Sequence, residues 1–147
     1  FRGPDTATDR TEAASSAGGW CRAGDLGVLD AVGRVTFRGR LKDMLKVGGE
    51  NVAAVEIEGY LALHPAVKLA QVVGLPDEKY GEVPVAFIEL VPEATATEAE
   101  MITFCRGEIA SFKIPRQVRF IEDWPMGATK ILKSTFRDQL LAEMAPV

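Results

Sequence analysis

The chain reads Val67-Lys-Leu-Ala-Gln-Val-Val-Gly-Leu-Pro-Asp-Glu-Lys-Tyr-Gly-Glu-Val-Pro-Val-Ala-Phe-Ile-Glu-Leu-Val91 across its middle. Residues 67–74 and 84–91 are apolar and rich in β-branched side chains. Each is short, so each is predicted to be a buried strand. Pro76 to Glu82 carries the turn residues between them and reads as their connecting loop.

Helices are expected on both sides of this pair. Upstream, Ile57, Tyr60 and Leu61 stand at i, i+3 and i+4, with Glu56 early, so residues 53–63 form a helix that Pro65 stops. Downstream, Thr97-Glu-Ala-Glu100 is a capping box, opening a helix expected to run to about Ser111. Gln117 to Ile121 alternates like a half-exposed strand. Ser134 is placed to cap a last helix, with Phe136, Leu140 and Met144 on one face. From residue 42 onward the expectation is an α+β domain, a small three-stranded sheet with helices packed on it. Leu41 to Val47 adds a short mixed strand, and Gly48-Gly49 breaks it. Residues 26–38 read as a β-hairpin turning at Asp30-Ala-Val-Gly33. Residues 1–18, rich in Ala, Thr, Ser and Asp, carry no such pattern.

Composition narrows the function. The 147 residues hold 47% apolar and 26% charged side chains, ordinary for a globular chain. A net charge of −4 provides no general field for nucleic acid or an anionic membrane. No apolar run approaches the ~18 residues of a bilayer span. Cys21 and Cys105 are too few for a disulfide framework or a zinc site, and His64 is the single histidine, so no metal site is expected. Cys105 lies at helical spacing with Ile102, Ile109 and Phe112 and reads as a core residue. The chain starts Phe1-Arg-Gly-Pro without an initiator Met, from which a piece of a longer polypeptide is expected.

Several polar residues have two readings each. Asp25, in Gly-Asp-Leu-Gly, is either a turn aspartate bonding its own backbone or an acceptor for two hydroxyls, as a ribose cis-diol requires. Arg40 is either a surface arginine or a fixed planar donor to a nucleotide. Lys42-Asp43 is either a solvated pair or a polar junction where backbone rotation costs least. Lys46 is a strand-edge charge or a group facing a thiol's path. Gly48-Gly49 is a tight turn or a place where backbone approaches a ligand; it is not a GxxxxGK[ST] phosphate loop. Lys130, in Pro125-Met-Gly-Ala-Thr-Lys130-Ile-Leu-Lys133, offers a point cation on a long stem to a phosphate or carboxylate. Lys133 is expected to face solvent at a helix start.

Taken together these elements resemble the C-terminal part of adenylate-forming enzymes: acyl- and aryl-CoA synthetases, nonribosomal adenylation domains and firefly luciferases. Gly19-Trp20 through Asp25-Leu-Gly27, Gly39-Arg40-x-Lys42-Asp43, Gly48-Gly49-Glu50-Asn51-Val52, Val55-Glu56-Ile57-Glu58, Phe112-Lys113-x-Pro115 and the Lys130 segment carry the resemblance, in family order. It implies an acid–thiol ligase that forms an acyl-adenylate from ATP, with Mg2+, and then a thioester with coenzyme A. It implies Asp25 and Arg40 at the nucleotide, Lys42 and Asp43 as hinge, Lys130 as the catalytic cation, and Lys46, Gly48 and Gly49 at the thioester step. Residues 1–41 become the tail of a large N-terminal AMP-binding domain and 42–147 a mobile lobe. The partners implied are that large domain, a carboxylic acid and coenzyme A, in the cytoplasm; the chain alone is expected to lack ligase activity. Loading of a carrier protein, or a stand-alone partner-binding module, are the alternatives. Three positions depart from the family pattern: Ala23 replaces a usual Thr, Ala54 a common Pro, and Lys130 has no Gly directly before it.

Overall fold

A computed structural model describes Trp20 and residues 22–144; the readings of residues 1–18, Gly19 and Cys21 lie outside the described residues. The described chain falls into two compact units, one ending at Lys42 and the next beginning at Asp43.

The first unit is a two-stranded antiparallel sheet, β1 (Asp25–Leu29) and β2 (Val35–Arg40). The Asp30 carboxylate closes its turn by accepting from the backbone N–H groups of Val32 and Arg34 at 3.0 and 2.8 Å and from Arg34 Nε at 2.8 Å. Those Arg34 bonds, with the backbone N–H donors, hold Asp30 below the usual carboxylate range.

A 3-10 turn, Leu41–Asp43, leads into the second unit. Its elements are β3 (Met44–Val47), β4 (Glu50–Ala53), α1 (Ala54–Leu61), β5 (Val67–Asp77), β6 (Gly81–Leu90), α2 (Glu98–Cys105), a 3-10 turn at Ser111–Lys113, β7 (Gln117–Phe120) and α3 (Lys133–Met144). The expected α+β class holds. The three expected strands are β5, β6 and β7, with β7 parallel to β6 and β5 antiparallel to it. The sheet has five strands rather than three, in the order β4-β3-β6-β5 with β7 also on β6. Gly48 and Gly49 do more than break a strand: at φ 61° and 91° they make a two-residue hairpin turn, and residues 50–53 pair back on β3. The β5–β6 loop is also tighter than expected. Asp77 Oδ1 accepts from the N–H groups of Lys79 and Tyr80, both at 2.9 Å, so pairing continues to Asp77 and Gly81.

Helices cover both sheet faces. Val73, Leu75, Val83, Val85 and Phe87 pack with Phe136 and Leu140 of α3. Ala70, Val72, Ala86 and Ile88 pack with Ile57, Leu61, Met101 and Cys105 of α1 and α2. Burial on both sides explains why β6 is apolar at every position from 83 to 88 instead of alternating. Glutamates protect the strand edges: Glu58 accepts from Val72 N at 2.8 Å and Glu98 from Val118 N at 2.9 Å.

Helix ends differ from expectation. The Thr97/Glu100 capping box forms, but α2 stops at Cys105, because Gly107 at φ 82° turns the chain away. Cys105 is fully buried, and burial pushes its thiol up to about 11. Helix α3 starts at Lys133, so Ser134 lies within its first turn rather than capping it, and Met144 is exposed. His64 sits after α1, its Nδ1 accepting from Ala66 N at 3.2 Å.

Candidate functional site

Asp25 and Arg40 come together through a bulge. From Leu29↔Val35 to Gly27↔Phe37 the hairpin is regular; it then shifts, pairing Leu26 with Gly39 and Asp25 with Arg40. Regular pairing would place Gly39 opposite Asp25. The extra residue, Arg38, advances β2 by one and sets Arg40 there instead. Arg40 Nε lies 3.2 Å from Asp25 Oδ1, with both side chains open to solvent. A guanidinium and a carboxylate side by side offer donors and an acceptor to a sugar's hydroxyls.

In the second unit Lys46 lies on β3, two residues before the Gly48-Gly49 turn that joins β3 to β4. Two bonds fix this end of the hairpin: Gly48 N donates to Tyr80 O in the β5–β6 loop at 2.7 Å, and Lys46 N on β3 donates to Glu82 Oε2 on β6 at 2.9 Å. A Cβ on Gly48 would lie 3.6 Å from the Tyr80 ring. Beside the turn is a cavity of about 190 Å³ lined by Val47, Tyr80, Val83, Phe112, Ile114 and Arg116. An open groove of about 500 Å³ shares Tyr80, Val83 and Arg116 with it. Arg116 Cζ and Lys79 Nζ each lie 5.0 Å from the centre of the Tyr80 ring. Those cations, Lys79 foremost, hold the Tyr80 phenol below its usual range. Nothing in the sequence pairs Tyr80 with Arg116, because they lie far apart in the chain and meet only through the fold.

Lys130 is exposed on a small turn closed by Gly127 N donating to Lys130 O at 2.7 Å and Leu132 N to Pro125 O at 2.8 Å. Among the described residues it makes no ion pair. Gly127 takes the tight place in this turn: a Cβ there would meet Leu132 Cδ2 at 3.2 Å and Lys130 O at 3.3 Å. Lys133 does not face solvent. Its Nζ donates to Glu58 Oε1 at 2.5 Å and lies 3.9 Å from Asp43 Oδ2, with 21% of the side chain exposed. Lys42, at the break between the units, is exposed. Among the described residues no group of His, Cys, Asp and Glu is placed to hold a metal ion, and no helix is long and apolar enough to cross a membrane.

Residues 56–130, from α1 to the exposed lysine, match the model of the AMP-binding enzyme C-terminal domain. The chain belongs to that family. It is 42% identical to a 2-succinylbenzoate–CoA ligase of Bacillus cereus over 86% of its length and 26% of the ligase. Among solved structures it resembles the anthranilate CoA ligase AuaEII in complex with anthranoyl-AMP, with TM-score 0.83 and 36% identity, covering 95% of this chain and 28% of that one. It also resembles ATP-bound MatB from Rhodopseudomonas palustris, with TM-score 0.81 and 32% identity, over 89% of this chain and 26% of MatB. The chain thus spans about a quarter of the length of these relatives.

Proposed function

We propose that this AMP-binding enzyme C-terminal domain, with the hairpin before it, works within a longer ATP-dependent acid–CoA ligase. The observation that carries the reading is Lys130: an exposed ammonium, without an ion-pair partner among the described residues, on a turn held by two backbone bonds. A preplaced cation of this kind stabilises charge that develops in a transition state, at no reorganisation cost.

In the first half-reaction a carboxylate oxygen attacks the α-phosphorus of ATP. The new P–O bond gives the acyl-adenylate as the bond to pyrophosphate breaks. Lys130 bridges the carboxylate and the α-phosphate, while Asp25 accepts from ribose hydroxyls and Arg40 holds Asp25 and the nucleotide. The hairpin fits this role, because Arg40 occupies one carboxylate oxygen and leaves the other for a hydroxyl. In the second half-reaction the coenzyme A sulfur attacks the acyl carbon. The C–S bond forms, the C–O bond to AMP breaks and the thiol proton passes to solvent. The segment around Lys42 and Asp43 is the pivot that exchanges Lys130 for the Lys46–Gly49 turn between the two steps. The aromatic and cationic surface at Tyr80 and Arg116 beside that turn supports an anionic thiol substrate there. Relatives named as CoA ligases, one of them holding an acyl-type adenylate, support the same chemistry.

Lys130→Ala in the full-length protein tests this. ATP–pyrophosphate exchange is expected to fall by about 10²–10³, while thioester formation from supplied acyl-adenylate persists. Equal loss of both half-reactions would remove Lys130 from the adenylation step. This chain by itself is expected to show no exchange.

A further inference from the structure

Three residues beyond Lys130 stands a second lysine, Lys133, with charged partners of its own. Lys133 is the first residue of α3, where the helix dipole disfavours a cation. It is nevertheless largely buried, and its ammonium donates to Glu58 Oε1 at 2.5 Å. The same oxygen accepts from Val72 N at 2.8 Å, so Glu58, itself 12% exposed, is locked to the edge of β5 before Lys133 reaches it. Asp43 Oδ2 stands 3.9 Å from the same ammonium. Glu58 belongs to α1, on the sheet face opposite α3, so the contact reaches around the β5 edge. The Lys130 turn is therefore pinned from two sides. Ile131 and Phe136 seat it in the α3-facing core, and Lys133 ties it to the far layer and to the first residue of the unit.

We propose that Lys133, held by Glu58 and Asp43, is the positioning residue that fixes the 126–132 turn and so places the Lys130 ammonium for adenylate formation. The proposal rests on the reading of Lys130 given above. A salt bridge on a solvated surface would contribute little. Here, removing one partner leaves the other charge partly buried and the turn without its tether. Misplacing a catalytic group by about 1 Å costs on the order of 10²-fold in rate.

The test uses Lys133→Met, Lys133→Arg and Lys130→Ala in the full-length protein, with both half-reactions and amide hydrogen exchange as readouts. Lys133→Met is expected to slow ATP–pyrophosphate exchange by about tenfold to a hundredfold. Thioester formation from supplied adenylate should stay within about twofold. Lys133→Arg should restore most of the loss. The Gly127 and Leu132 amides should exchange about tenfold faster in Lys133→Met while β5 and β6 amides keep their protection. Should Lys133→Met fail to fold, Glu58→Gln, which keeps the Val72 acceptor and removes only the charge, is expected to give the same pattern. Unchanged exchange at Gly127 and Leu132, or a parallel fall in both half-reactions, overturns the proposal. If Lys130→Ala spares pyrophosphate exchange, the catalytic reading fails, and the amide exchange still decides whether Lys133 holds the turn.

Discussion

Truncating Phe136 to Ala separates the two faces of the sheet. Phe136 is 3% exposed; its ring stacks on Phe87 with centroids 4.1 Å apart at 17°, and Trp124 meets it edge-on at 5.7 Å. Removing a buried phenyl ring costs about 3–5 kcal/mol through lost burial and the cavity left behind. Against a typical total of about 5–15 kcal/mol this is a large share. Each kcal/mol shifts Tm by about 3–5 °C at this chain length, so 3 kcal/mol lowers it by about 9–15 °C. The loss should be local before it is global, because the stack lies on the face opposite α1 and α2. Thermal and urea unfolding of this chain measure the total, with Leu63→Ala, at a site 71% exposed, as a control expected within about 0.5 kcal/mol. Hydrogen exchange measures where: amides of α3 should lose protection well before those of α1. A cost below about 1 kcal/mol, or equal loss of protection in α1 and α3, would refute the two-face account of the core.

Two further outcomes are expected. Gly49→Val should cost about 1–2 kcal/mol, because φ 91° is a conformation that β-branched residues resist, whereas Gly49→Asn should cost less; urea midpoints compare them. Acid should weaken the link from β6 to the segment before Lys130. Lys68, at 2.5 Å, and Trp124 Nε1, at 2.6 Å, hold Glu89 below its ordinary value of 4.5. Because the folded value is the lower one, the stabilisation is present above 4.5 and fades as pH falls through the depressed value. Glu89→Gln should therefore flatten the dependence of Tm on pH below 4.5, and an unchanged slope would show that Glu89 contributes none of it.

What could be read from the sequence follows from which contacts are local. Periodicity marks the strands, and residues three apart mark the capping box at Thr97, so the strands and the start of α2 lie near the expected places while the end of α2, set by Gly107, does not. The second arm of the β3–β4 hairpin is not legible because Glu50-Asn-Val-Ala53 has no strand pattern; two glycines at positive φ impose the pairing. The resemblance implies Asp25 and Arg40 at one nucleotide, yet what makes them face each other is a single extra residue in β2, which alternation does not reveal. The two lysines at 130 and 133 make the case most directly. Both are cations in one polar stretch, and nothing within ten residues of either is an acidic partner in the structure. The distinction lies with Glu58, 75 residues upstream, whose fixed oxygen takes one ammonium into the protein. Spacing along the chain can nominate a lysine for catalysis. Which lysine is left free to meet a ligand, and which is spent on holding it in place, is decided by layers that the fold alone brings within reach.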